Sequence, residues 1–197
     1  MTKIGTFFFK ARSYTPVPFI PFIIYFAHPT TLSIILGFIS MVCGEAIRFW
    51  GVGYAGFATR TRNVGASKLV TNGAFSVLRN PLYAGNFFIS LGVVIAFNAL
   101  MPYMVFIYAA LYSIQYYFIV KLEEERLEDV FGDEYRRYKA AVPRFIPTFR
   151  KYEGASDVPF SGAVAIKNEK KVFVSILIML IVALLLNLWK LKAGTAV

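Results

Sequence analysis

From Val172 to Trp189 the chain runs for eighteen residues without a charged side chain, and this run restricts the possible folds more than any other feature. About twenty apolar residues are what an α-helix needs to cross the hydrocarbon core of a bilayer. Lipid offers the backbone no hydrogen-bond partners, so a crossing segment must satisfy its own peptide groups, as a helix does. Further apolar runs cover Thr31 to Trp50, Leu82 to Leu100 and Tyr103 to Val120. A weaker one, Val17 to Ala27, is flanked by Pro16, Pro18 and Pro21 and can draw on Phe7 to Phe9 to reach across. The composition, 57% hydrophobic and only 16% charged, agrees. The expected fold is all-α: a polytopic membrane helical bundle of about five transmembrane helices, with residues 1–197 as a single membrane domain.

The net charge of +10 is arranged for a membrane and not for nucleic acid. Three basic residues precede the first run, five lie from Arg48 to Arg79, eleven lie between the fourth and fifth runs, and two follow the fifth. The intervening connections carry none. Nineteen of the 21 therefore fall on one side. The positive-inside rule makes that side cytoplasmic and puts the N-terminus there and the C-terminus outside. Membrane lipids, whose anionic headgroups attract such a surface, are the expected partners, and no nucleic acid is. Lys10 and Arg12 interrupt the apolar start and no small-residue cleavage site follows, so a cleaved leader is not expected. Cys43 lies in an apolar run and reads as a packed, inert thiol. His28 has no Cys, Asp or Glu close in sequence, and no metal site is expected.

Local signals punctuate the runs. A threonine after His28-Pro29 can cap the second helix. Glu45, one turn before Arg48, reads as a snorkelling pair at the rim. Asn72-Gly73 suits a tight turn, and Asn80-Pro81 an N-cap with proline at the first helical position. Gly85 and Gly92, seven apart on one face, let a neighbouring helix or a ligand approach the backbone. Asn98 to Pro102 makes a short turn. Gly132 ends the fourth helix and Asp133 can cap the next, while Lys151 to Lys171 reads as a polar linker before the last crossing.

Charge brackets the apolar hairpin from Arg79 to Glu124, with Arg79 at its start and Glu123 and Glu124 at its end. Arg79 stands beside the positive end of a helix dipole, where a cation is unfavourable unless an anion is present. On a helical wheel centred on Leu127, Glu123 falls about 40° to one side and Glu124 about 60° to the other, whereas Glu125 points about 160° away. Glu123 and Glu124 should therefore share a buried stripe with Leu127, Val130 and Phe131. Ionisable groups at the mouth of a membrane bundle raise a functional-site hypothesis, and such a pocket, with a lipid side and a water side, can join an amphiphile to a soluble cosubstrate. Neither a phosphate-binding glycine loop nor a metal-ligand cluster is evident.

Leu69-Val70-Thr71-Asn72-Gly73, Arg79-Asn80-Pro81-Leu82-Tyr83-Ala84-Gly85, and Glu123-Glu124 followed by Phe131-Gly132, Tyr135, Pro143 and Pro147 together resemble the isoprenylcysteine carboxyl methyltransferase and phospholipid methyltransferase group. The resemblance covers residues 67–147 as a catalytic core, with the last crossing, 172–189, beyond it. It implies S-adenosyl-L-methionine as cofactor, in a pocket open to the cytoplasm and formed by Ser67, Lys68, Leu69, Val70, Phe75, Asn80, Pro81, Leu82, Tyr83 and Glu123. It further implies methyl transfer to a lipophilic small molecule or lipid, through the carboxylate or amine of an isoprenoid-like or lipid substrate. Arg79 would meet a carboxylate of the cofactor or orient the acceptor, and Glu124 would act as base for an amine. The chain departs from the family at Ser67 and Asn80, where histidine is usual, and at Phe75, where tyrosine is. At Ile119 it lacks the arginine with which the carboxyl methyltransferases bind substrate. A scaffold or sensor that has lost the chemistry, or a small transporter, is the alternative; retention of Arg79, Tyr83, Gly85, Glu123 and Glu124 together favours the enzyme.

Overall fold

The computed structural model describes residues 2–12, 14–56, 68–148, 150 and 152–194. Seven α-helices follow in order: α1 (Thr2–Ala11), α2 (Phe19–Tyr25), α3 (Thr31–Ala55), α4 (Pro81–Phe97), α5 (Tyr103–Phe131), α6 (Asp133–Ala141) and α7 (Gly162–Gly194), with a short 3-10 turn at Gly73–Ser76 before α4. Among the described residues there is no strand. The protein is an all-helical membrane bundle. Among the described residues three helices, α3, α5 and α7 to Lys192, are long and apolar enough to cross a membrane. The seventeen residues of α4 span about 25 Å. Where one first crossing is expected there are two short helices, α1 and α2, with turns at Arg12 and at residues 14–18 between them.

The central seam joins α3 and α4, antiparallel and unusually close. Thr30 and Ser33 form a reciprocal capping box at the start of α3. Gly37 and Gly44 then face Gly92 and Gly85: a Cβ on Gly37 would lie 2.5 Å from the Gly92 carbonyl oxygen, and one on Gly44 would lie 2.5 Å from that of Gly85. Only glycine lets two helix backbones meet in this way. The partner on the glycine face of α4 is thus a helix. Ser33 Oγ donates to Ala96 O at 3.2 Å and Ser40 Oγ to Phe88 O at 2.8 Å, which fixes the register.

Large apolar side chains point outward from α3 (Leu32, Ile35, Ile39) and from α7 (Leu177, Ile181, Leu185), as lipid-facing surfaces require. Cys43 shares the outer side and is exposed rather than packed, because the inner face of α3 at that level is taken by Met41, Gly44 and Glu45. At the end with few charges, Asn187 Nδ2 donates to Pro29 O at 2.7 Å, Asn98 Nδ2 to His28 O at 2.8 Å, and Lys190 Nζ lies 2.9 Å from His28 Nδ1 and also meets Ala27 O.

The expected linker before the last crossing is structured. Thr71 and Ser156 exchange bonds, Thr71 N to Ser156 Oγ at 3.0 Å and Ser156 N to Thr71 Oγ1 at 2.7 Å, and Asn72 Nδ2 donates to Val158 O at 2.7 Å. Ser161 N bonds Gly53 O at 2.8 Å, and α7 begins one residue later, at Gly162. Its polar first turns are helical because Glu169, on their inner face, has a partner across the bundle.

Candidate functional site

At the charge-rich end, α4 starts, α5 projects past it, and α6 folds back against the projection. Gly132, at φ 53°, ends α5 and is also the N-cap residue of α6, so Asp133 is the first helical residue and not the cap. Tyr135 and Tyr138 of α6 are buried with Leu69 and Val142, against Leu127 and Phe131. Val130, expected in the same stripe, is 58% exposed: α6 covers only the Leu127–Phe131 side of α5. Burial raises the Tyr135 and Tyr138 phenols above the usual tyrosine range. Tyr138 OH donates to Phe75 O at 2.7 Å, which ties α6 to the 3-10 turn.

Arg79 and Glu124 meet beneath this lid. Arg79 Nε donates to Glu124 Oε1 at 3.1 Å, and its Nη1 donates to Lys139 O at 2.5 Å and Val142 O at 2.6 Å. The anion that Arg79 requires is therefore Glu124, aided by the negative C-terminal end of α6. Arg144 closes the other side, with Nε 3.1 Å from Glu124 Oε1 and Nη2 on Oε2. The bonds to Glu124 push the Arg144 guanidinium's pKa above its usual value. Asn80 occupies the N-cap position of α4 but makes no capping bond; its amide donates to Arg144 O at 3.3 Å. Arg144, which stands between the motif residues Pro143 and Pro147 and belongs to no motif itself, thus completes a clamp holding α4, α5 and α6 together.

Glu123 points elsewhere. Successive residues on a helix are about 100° apart, and Glu123 turns toward α4, where Tyr83 OH donates to its Oε1 at 2.6 Å. Tyr112 OH holds the Tyr83 carbonyl at 2.7 Å, and Tyr83, Tyr116 and Tyr112 form a row with ring centroids 4.8 Å and 4.0 Å apart. Among the described residues Glu123 makes no ion pair. Glu123 is half-buried, burial pushes its pKa above the usual carboxylate range, and a cation placed beside it would favour its charged form.

The other expected site residues divide. Pro81 is buried, and Pro81 and Leu82 pack on Gly51. Leu69 belongs to the α6 cluster, Lys68 is exposed with Nζ 3.5 Å from Asp157 O, Val70 is half-buried beside the Thr71 bonds, and Phe75 supplies its carbonyl to Tyr138. Ser67 lies outside the described residues. Ile119 is fully buried.

A second polar cluster lies deeper, between α3, α4 and α7. Arg48 Nη2 lies 2.9 and 2.8 Å from the two Glu169 oxygens, Nε is 3.1 Å from Oε2, and Nη1 is 2.5 Å from Asn86 Oδ1. Glu45, expected to pair with Arg48, reaches it only at 3.9 Å, and both of its oxygens are buried without a hydrogen bond. Arg48 turns to Glu169 because α7 offers a bidentate geometry that an i,i+3 neighbour does not.

Comparison with known proteins gives two matches. The family profile described as phospholipid methyltransferase matches residues 32–134, just over half the chain. Methanethiol S-methyltransferase 1 of Bradyrhizobium diazoefficiens is 38% identical over 76 residues, which are 37% of this chain and 24% of that protein. The chain thus aligns with only about a quarter of the length of that relative. No solved structure matches. The profile takes in α3, α4 and α5 with Arg79, Tyr83, Glu123 and Glu124, and stops before Tyr135, Arg144 and Glu169.

Proposed function

The chain belongs to the phospholipid methyltransferase family, and on that premise we propose that it transfers a methyl group from S-adenosyl-L-methionine to a lipophilic acceptor at the cytoplasmic face of a membrane. The observation that carries the proposal is the Tyr83–Glu123 pair: a half-buried carboxyl group with one neutral donor, at the charged end of a lipid-embedded bundle. When bound, the cofactor supplies a methyl group on a positively charged sulfur, and it also carries an ammonium. A carboxylate complements both charges.

The chain's residues then have separate duties. Glu123 neutralises cationic charge, and Tyr83 fixes its rotamer. The tyrosine row along α4 and α5 keeps water from the reacting atoms and offers an apolar wall to the acceptor. Methyl transfer depends chiefly on alignment of nucleophile, carbon and sulfur. The Arg79–Glu124–Arg144 clamp supports that alignment by fixing the ends of α4 and α5 against α6. With both oxygens of Glu124 occupied by guanidinium groups, its use as a base would require one arginine to withdraw. The arrangement best suits an acceptor whose reacting atom already carries a free electron pair, such as a thiolate, a carboxylate or an unprotonated amine. The N-terminus and the site are assigned to the cytoplasm, and the C-terminus to the opposite side, on the distribution of Lys and Arg.

Calorimetric titration of the detergent-purified protein with S-adenosyl-L-methionine tests this reading, followed by labelled-methyl transfer to lipid extracts, prenylated carboxylates and small thiols, methanethiol among them. Saturable binding abolished in Glu123→Ala is expected. A folded protein that does not bind the cofactor would overturn the reading and favour a scaffold.

A further inference from the structure

Beyond α6 the chain makes a loop tip that the site does not use and that lies outside the family-matched segment. Arg79 N donates to Pro143 O at 2.9 Å, Asn80 Nδ2 to Arg144 O at 3.3 Å, and Thr148 N to Val77 O at 3.0 Å. Both ends of the tip are thus fastened to residues 77–80, directly before α4. Pro143 and Pro147 restrict its backbone on either side. The side chains it presents are Phe145 and Ile146, 39% and 78% exposed. Apolar side chains that a fastened backbone holds away from the protein mark a contact surface.

Depth, continuity and charge identify that contact as lipid. The seventeen residues of α4 are apolar from the first turn, and their length of about 25 Å falls short of a hydrocarbon core of about 30 Å. Residues 77–80 therefore stand at the edge of the hydrocarbon, and the tip tied to them stands at the same depth. The Arg144 guanidinium lies 6.0 Å from the centroid of the Tyr117 ring. Tyr117 and, one turn deeper, Ile114 are exposed on the outer side of α5, so the tip adjoins a surface that lipid already covers. Glu124 engages Nε and Nη2 of Arg144 and leaves Nη1 without a partner among the described residues. Arg150, beyond the tip, is exposed. Basic groups flanking an apolar pair match the order in which a leaflet presents phosphate and acyl chain. A second copy docked tip to tip would instead bring these like charges together.

We propose that Phe145 and Ile146 form an interfacial anchor, inserted at the boundary of headgroups and acyl chains in the leaflet on the charged side, with Arg144 and Arg150 toward lipid phosphate. The inference goes beyond the methyltransferase reading and does not depend on it. Because Arg144 also bonds Glu124, the anchor sets the depth of the clamp in the leaflet. Cys43 is the only cysteine of the chain, so a nitroxide can be attached at one chosen position in a Cys43→Ser background. The full chain carrying Ile146→Cys is labelled and reconstituted in vesicles of phosphatidylcholine and phosphatidylglycerol. Collision rates with oxygen, which partitions into lipid, and with a water-soluble nickel chelate then report depth. Asp129→Cys, exposed on the projecting part of α5, is the reference in water, and Ile181→Cys, exposed on α7, the reference in lipid. The oxygen-to-nickel ratio at position 146 is expected to exceed that at 129 several-fold and to stay below that at 181. Phe145→Cys should give the same ranking and supplies a second reading if one labelled variant fails to fold. A ratio equal to that at 129 would place the tip in water and overturn the proposal. Low collision rates with both reagents would show polypeptide over the tip, and would overturn it in favour of contact between copies.

Discussion

Two glutamates flank the half-buried Arg48, and substituting each in turn should affect stability differently. Glu169 has no exposed surface and accepts three bonds from Arg48 at 2.8–3.1 Å. Breaking a buried pair of this kind by removing one partner costs about 3–5 kcal/mol, because the surviving charge is left without compensation. In Glu169→Gln the remaining amide oxygen can still accept one bond, which returns about 1 kcal/mol. The net loss should be about 2–4 kcal/mol, equivalent to a fall in melting temperature of roughly 5–15 °C for a chain of this length. Glu45 is 5% exposed, has no hydrogen bond to either oxygen, and lies 3.9 Å from Arg48. Glu45→Gln removes a buried acid that competes with Glu169 for the same guanidinium, so stability should stay the same or rise by about 1 kcal/mol. Thermal unfolding of the detergent-purified variants, followed by circular dichroism, measures both. Equal losses, or a larger loss for Glu45→Gln, would refute the assignment of Arg48 to Glu169 as its structural partner.

Gly92→Ala should cost about 1–3 kcal/mol in the same melt, since its Cβ would sit 2.5 Å from the Gly37 carbonyl, a backbone atom that cannot move aside cheaply. Tyr83→Phe should leave the fold intact and weaken cofactor binding about tenfold by calorimetry, because Glu123 loses the hydrogen bond that sets its orientation. Arg79→Ala should destabilise the protein more than Arg144→Ala in chemical denaturation: the Arg79 side chain is 9% exposed and also holds the carbonyls of Lys139 in α6 and of Val142 just after it, whereas that of Arg144 is 29% exposed. At alkaline pH, Tyr135 and Tyr138 keep their protons in the folded state after their unfolded counterparts have ionised. Their contribution is full below about pH 10 and is lost as pH rises above it. In a pH series of unfolding, Tyr138→Phe should therefore show a shallower decline above that point.

The crossings were legible because a bilayer imposes a length and a polarity on each one, and Val172–Trp189 or Thr31–Trp50 shows both without reference to any neighbour. Turn chemistry was legible where a single residue decides it, as with Thr30 at the start of α3, Gly73 at φ 58° and Gly132 at φ 53°. The site was legible only in part. The wheel placed Glu123 and Glu124 on the inward side of α5, but a wheel carries no partner helices. It could not show that Glu124 enters a clamp beneath α6 while Glu123 turns to Tyr83. Arg144 lay in an extended stretch and Glu169 in a polar one, and neither has a local pattern that marks it. A usable signal was present: Arg48 and Glu169 are opposite charges, each next to an apolar run, that would otherwise enter the membrane alone.

The amino-acid sequence by itself determined that this protein lives in a membrane, that its elements are helices, and that its charge gathers at one end. Those properties follow from the transfer of side chains and peptide groups between water and lipid, which each segment undergoes separately. Which carboxylate pairs with which arginine was decided by tertiary structure alone. The pairing of Arg79 with Glu124 and of Arg48 with Glu169, and the lack of an ion pair at Glu123 among the described residues, are outcomes of packing between segments 45 to 121 residues apart in the chain. Several arrangements of the same charges satisfy the sequence pattern equally, and only the packing of α6 and α7 against the α3–α4 seam selects among them.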